Sequence, residues 1–137
     1  MRRASIGLVA VALTWTTGVS AQQQPAQFPT GRYTMTMRDT TNELNRATFE
    51  ITKDNHYFIT HKGHVLFMGT YSVDGNRITF LGQGDTPCLD PDGNAIPGLY
   101  TWFVKGEVLT FTRMDDMCNE RRLSAMIALF YPEGKAP

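Results

Sequence analysis

Charge of one sign is scarce in this sequence: 13 Lys and Arg face 13 Asp and Glu. A nucleic-acid binder needs a basic stripe to release counterions from phosphates, so the balance argues against that class. It argues equally against attachment to a membrane through a polybasic surface. Cysteine is nearly missing, with two residues and no CxxC pair, so neither a disulfide-dense scaffold nor a dithiol redox site is expected. No GxSxG, HExxH, P-loop or dinucleotide fingerprint occurs. Helical periodicity is almost absent. What remains is a chain of 137 residues with 42% hydrophobic content. That is too apolar for a disordered segment and long enough for one domain to bury a core.

The start of the chain has the character of an export leader. Met1, Arg2 and Arg3 are followed by an apolar run from Ala4 to Leu13 and then by small and polar residues to Ala21. The run is shorter than the ~20 residues a helix needs to cross a bilayer. Val19-Ser20-Ala21 places small residues where a signal peptidase reads, so residues 1–21 are expected to be a cleaved signal peptide. The mature chain would begin at Gln22, with 22–30 as a short lead, 31–131 as the domain and 132–137 as a tail. It would be secreted or periplasmic, without an integral membrane segment. Losing Arg2 and Arg3 leaves 11 basic residues against 13 acidic ones, a mildly acidic protein. In an oxidising compartment Cys88 and Cys118 are expected to form one disulfide.

The rest reads as eight short alternating runs. The first carries Tyr33, Met35 and Met37 on one face, and the second carries Ala47, Phe49 and Ile51. The third is His56 to His61, the fourth His64 to Val73, and the fifth holds Ile78 and Phe80. Tyr100, Trp102 and Val104 mark the sixth, Leu109 and Phe111 the seventh, and Leu123, Ala125, Ile127 and Leu129 the eighth. Lys53-Asp54-Asn55, Asp74-Gly75-Asn76 and Lys105-Gly106-Glu107 are tight-turn sequences, whereas Gly82 to Gly98 and Met114 to Glu120 are long connections. Alternate connections of a meander lie at opposite ends, so most of the loop mass collects at one end. Both cysteines fall there, as a disulfide requires. The expected fold is all-β, an eight-stranded antiparallel up-and-down barrel with one disulfide; a two-sheet sandwich is the alternative.

Gly31-Arg32-Tyr33, the hairpin from Gly69 to Phe80, Leu109-Thr110-Phe111 and Asp116-x-Cys118-x-x-Arg121 together resemble the calycins, specifically the small lipocalin-like proteins exported by bacteria. Tyr33 stands where lipocalins carry Trp, and the chain is shorter than a typical lipocalin. The resemblance implies a barrel that carries a ligand, with Arg121 or Arg122 packing over the first-strand aromatic.

Alternation puts Phe49, Phe67, Tyr71, Phe80, Tyr100, Trp102 and Phe111 on one face. They form either a packed core or the walls of an apolar pocket. With Arg121 they are the expected ligand-binding residues. Loop residues at the loop-rich mouth would set access. His61 and His64 flank a turn and can face each other, but they lack a third ligand for a metal. Asp90-Pro91-Asp92-Gly93-Asn94 looks like a calcium loop, yet Ala95 and Thr101 occupy the positions where an EF-hand needs Gly and Glu, so it reads as a turn. Asp115-Asp116 reads as a solvated carboxylate pair. The expected function is non-catalytic binding of a small apolar or amphipathic ligand, with no cofactor and no metal. The alternatives are an interaction module, such as an inhibitor of a secreted enzyme working through the 82–98 loop, or a barrel isomerase or cyclase.

Overall fold

Strict alternation makes the strands. Each run presents its apolar side chains to one face and its polar ones to the other, so a sheet that closes on itself buries every apolar face at once. The computed structural model describes residues 27–38, 44–84, 88–122 and 128–136. Its strands are β1 (Gly31–Arg38), β2 (Leu44–Ile51), β3 (His56–His61), β4 (His64–Asp74), β5 (Arg77–Gly82), β6 (Gly98–Lys105), β7 (Val108–Asp116) and β8 (Phe130–Pro132). Each pairs antiparallel with the next, and β8 returns to β1 to close the barrel. The expected leader at 1–21, and Leu123, Ala125 and Ile127 of the expected eighth strand, lie outside the described residues.

The turns behave as their sequences dictate. Asn55, Gly75 and Gly106 take φ of 65°, 58° and 63°, the left-handed conformation that short hairpins demand. These three turns and the lead 27–30 lie at one end of the barrel. Residues 88–97 and 117–122 lie at the other, where Cys88 and Cys118 are joined with Cα atoms 5.1 Å apart.

The last strand differs from expectation. Leu129 is half exposed, and Phe130, fully buried, takes the inward place instead. After Cys118 the chain makes a helical turn over 119–122, with the Arg122 N–H donating to the Cys118 carbonyl at 2.9 Å. Arg121 is thereby held at the loop end. Strand β8 sets Phe130 opposite Met35 and Leu109.

Inside, the rings fill the barrel. Phe49 meets Phe130 at 5.0 Å and Phe80 at 6.2 Å; Phe111 meets Phe80 at 5.4 Å and Phe130 at 5.2 Å, mostly tilted or edge-on. Such contacts add about 0.5–1.5 kcal/mol per pair beyond the area they bury. Of the two readings of the aromatic face, packing therefore describes the barrel's middle.

Candidate functional site

The two ends of the barrel are built from different chemistry, and each uses residues singled out in the sequence. At the turn end, Tyr71 and Trp102 are buried as rings but spend their polar tips on backbone. The Tyr71 hydroxyl donates to the Thr52 carbonyl at 2.6 Å, and the Trp102 indole N–H donates to the Gly75 carbonyl at 3.0 Å. Each thus ties a hairpin turn to the wall, leaving its ring face inward. Onto those faces settles Phe28, a residue of the lead that no alternation pattern marks. Its ring lies 5.4 Å from Tyr71, 5.1 Å from Trp102 and 6.4 Å from Phe111, and it is 7% exposed. Pro29 holds the lead in place by accepting a hydrogen bond from the Tyr33 hydroxyl at 3.2 Å.

Phe28 therefore closes this end as a stopper. Phe28→Ala is expected to lower stability by about 2–3 kcal/mol, the lower part of the large-to-small range because the lead can settle into the gap. The same change should move Trp102 emission to the red as its ring meets water. Unchanged emission would show that Phe28 does not cover the indole.

Beside the stopper opens a cleft of about 730 Å³. Phe28, Tyr71 and Val73 give it an apolar floor, and Gln27, Thr30, Lys53 and Asn55 give it a polar rim. The cleft sits at the turn end. The loop-rich end, expected to be the mouth, is occupied by a buried polar cluster.

That cluster centres on Asp116 and Arg121, whose side chains are 0% and 2% exposed. Arg121 Nε donates to Asp116 Oδ2 at 2.7 Å, and Nη2 donates to Asp116 Oδ1 at 2.8 Å and to the Ile96 carbonyl at 2.8 Å. The Tyr100 hydroxyl donates a short hydrogen bond to Asp116, and the Cys118 N–H donates to Oδ1 at 2.9 Å. Burial pushes the Asp116 carboxyl up, but the hydrogen bonds from Arg121, Tyr100 and Cys118 outweigh it and hold its pKa below the usual value. Burial first, and the Asp116 carboxylate second, push the Tyr100 phenol upward. Burial raises Tyr57 as well, against the opposing charge of Arg121. Gly98 makes room for this pair: a Cβ there would lie 2.6 Å from Arg121 Nε and 2.6 Å from Asp116 Oδ2.

Two readings change here. Asp115 is exposed as a solvated carboxylate should be, but Asp116 is buried. A register shift between Leu99 and Tyr100 lets Asp116 face inward opposite Gly98. Arg121 does not cap the first-strand aromatic: it engages Asp116 and Ile96 at the loop end, whereas the Tyr33 hydroxyl points to the lead.

The remaining candidates resolve locally. His61 and His64 are register partners, and His61 Nδ1–H donates to the Arg46 carbonyl at 2.9 Å. The oxygens of Asp90 are taken by the loop's own donors, the N–H groups of Asp92 and Asn94 and the Asn94 side chain. Those hydrogen bonds, led by the Asn94 N–H, lower its pKa. Among the described residues no group of three or more His, Cys, Asp or Glu comes within reach of one metal ion. Phe67 lies partly buried against the core, opposite the buried Ile59, and Phe49 and Phe80 are fully buried.

What the geometry defines is a class: a closed, eight-stranded antiparallel β-barrel with one disulfide, compatible with a lipocalin-like fold. No family model, curated protein or solved structure matches the chain.

Proposed function

We propose that the protein is an exported, lipocalin-like barrel that binds a small apolar or amphipathic molecule without transforming it. The observation that carries this reading is the cleft of about 730 Å³ at the turn end. Small-molecule sites have volumes of about 300–1,000 Å³ and combine apolar walls with a few polar groups, as this one does. Lys53 at the rim suits a ligand with an anionic or strongly polar head, while Phe28, Tyr71 and Val73 suit an apolar body. The aromatic residues then divide by depth. Tyr71 meets the ligand, Trp102 lies one ring below Phe28, and Phe49, Phe67, Phe80, Tyr100 and Phe111 form the packed support. Arg121 braces the opposite end. Export is supported by the leader-like start and the disulfide, and no helix among the described residues is long and apolar enough to cross a membrane.

The test uses 1-anilinonaphthalene-8-sulfonate, an amphipathic aromatic anion, as probe. Once the expected leader with Trp15 is removed, Trp102 is the only indole to report its arrival. Saturable quenching of Trp102 is expected. Val73→Asp, at a position 38% exposed, should weaken it by about tenfold without moving the thermal melt, since it sets a charge on the apolar floor. Equal quenching in both proteins sinks the reading. Native mass spectrometry of protein from its own host would then identify any natural occupant.

A further inference from the structure

The tip of the β3–β4 hairpin continues past its ladders with both neighbouring strands, alongside the end of β2, which itself reaches Leu44. On one side β2 pairs with β3 only as far as Thr60, and on the other β5 pairs with β4 only from Gly69. One further bond, from the Gln83 N–H to the Met68 carbonyl, extends that support by a single residue. Among the described residues, the backbone ladder of His61 through Phe67 lies within its own hairpin, and the His61 ring ties the tip to β2 by donating to the Arg46 carbonyl. The register shifts between Ile59 and Thr60, with Ile59 opposite Phe67 and Thr60 opposite Val65, so Leu66 has no partner across the strand. Phe67 turns inward to the core, but Val65, Leu66 and Met68 are 53%, 37% and 38% exposed. On the outer face Leu81, 39% exposed, continues the apolar surface, because its register partner Thr70 places it diagonally from Met68.

The chemistry of the tip is one-sided. From His56 to Thr70 the sequence has no Asp or Glu, and the turn at the tip is His61-Lys62-Gly63-His64. We propose that this hairpin is a membrane-contact element. Val65, Leu66 and Met68 would enter the acyl boundary of a bilayer while Lys62 lies among the headgroup phosphates.

Area and shape favour a lipid surface over a folded partner. The four partly exposed side chains present on the order of 300 Å², well short of the ~800 Å² per side of a stable protein interface. A hairpin tip with exposed apolar side chains also enters an interface without needing a complementary groove. The balanced charge of the whole chain excludes a polybasic mode, so apolar insertion supplies most of the attraction here. The absence of carboxylates and the single Lys62 set a preference for anionic lipid. The hairpin is at the loop end, so docking through it leaves the turn-end cleft open to solution.

The experiment is co-sedimentation of the mature protein with vesicles of phosphatidylcholine alone or mixed with phosphatidylglycerol. Binding to both is expected, about fivefold stronger to the anionic mixture at low salt. Leu66→Asp with Met68→Asp should reduce it at least tenfold, because two apolar contacts become charges in the interface. Lys62→Glu should remove the anionic preference. Val73→Asp should leave partition unchanged, which separates failure here from failure of the ligand reading. Partition of the native protein no greater than that of the Leu66→Asp, Met68→Asp variant overturns the proposal. So does a dimer in sedimentation equilibrium that Leu66→Asp dissociates, which would assign this face to a second copy of the chain.

Discussion

Arg121→Met is expected to lower the unfolding free energy by about 3–5 kcal/mol at neutral pH, because it strands the Asp116 carboxylate in the interior. In the native protein that carboxylate receives two bonds from the guanidinium, one from Tyr100 and one from the Cys118 N–H. Removing the cation leaves a charge with side-chain exposure of 0% and half its donors. The companion change Asp116→Asn in the same chain should recover most of the loss, since a neutral amide accepts from the Tyr100 hydroxyl at far lower desolvation cost. Urea melts of both single variants and the double variant check this. Equal loss in Arg121→Met and the double variant would mean that the arginine matters only as packing volume.

The pH dependence has a definite sign. Asp116 titrates below its ordinary value in the folded protein, so its contribution is present above about pH 4 and is lost as pH falls through the lowered folded value. In Arg121→Met burial acts without the opposing cation, so the carboxyl is expected to titrate higher than in the native protein. Its penalty is then greatest at neutral pH and shrinks on acidification. The gap between the native protein and the variant should narrow from pH 7 to pH 4. A gap that is constant or widens contradicts the electrostatic account.

Replacing both cysteines, Cys88→Ser with Cys118→Ser, is expected to cost about 3–4 kcal/mol, the chain-entropy value for a separation of 30 residues. The effect extends beyond entropy because the same loops carry the ion pair. Cys88 accepts from the Ile96 N–H, the Ile96 carbonyl accepts from Arg121, and the Cys118 N–H donates to Asp116. Without the bond, the loops can part and admit water to both charges. The penalties of the disulfide and of Arg121→Met should therefore add to less than their sum, by about 1 kcal/mol. Additivity within about 0.5 kcal/mol would show the two features to be independent. Both half-cystines are at most 2% exposed, so reduction requires local opening and should accelerate with urea below the unfolding transition.

Particular residues show where the sequence could be read and where it could not. His56 to His61 appears as a strand with the ends its residues implied, because Lys53-Asp54-Asn55 and Lys62-Gly63 punctuate it on both sides. Tyr33, Phe49, Ile51, Ile78 and Leu109 face inward as alternation required. The disulfide was expected from two cysteines in an oxidising compartment, and strand parity placed both at one end. Phe28 was illegible: it belongs to no alternating run, and its worth lies in where Tyr71, Trp102 and Phe111 converge. Asp116 was misread for a related reason. A single register shift reverses which face a residue occupies, and no local signal marks the shift.

By itself, then, the sequence determined the first seven strands and their antiparallel meander, which follow from a period of two and from turn chemistry, and the covalent tie, which follows from two cysteines falling at one end. Only the tertiary structure decided that the sheet closes, where the last strand begins, which end is sealed by charge and which by a ring, where the cleft opens, and which hairpin tip bares apolar side chains. Those depend on strand stagger and on side chains far apart in the chain meeting at one point, and a pattern of neighbours along the chain carries no record of either.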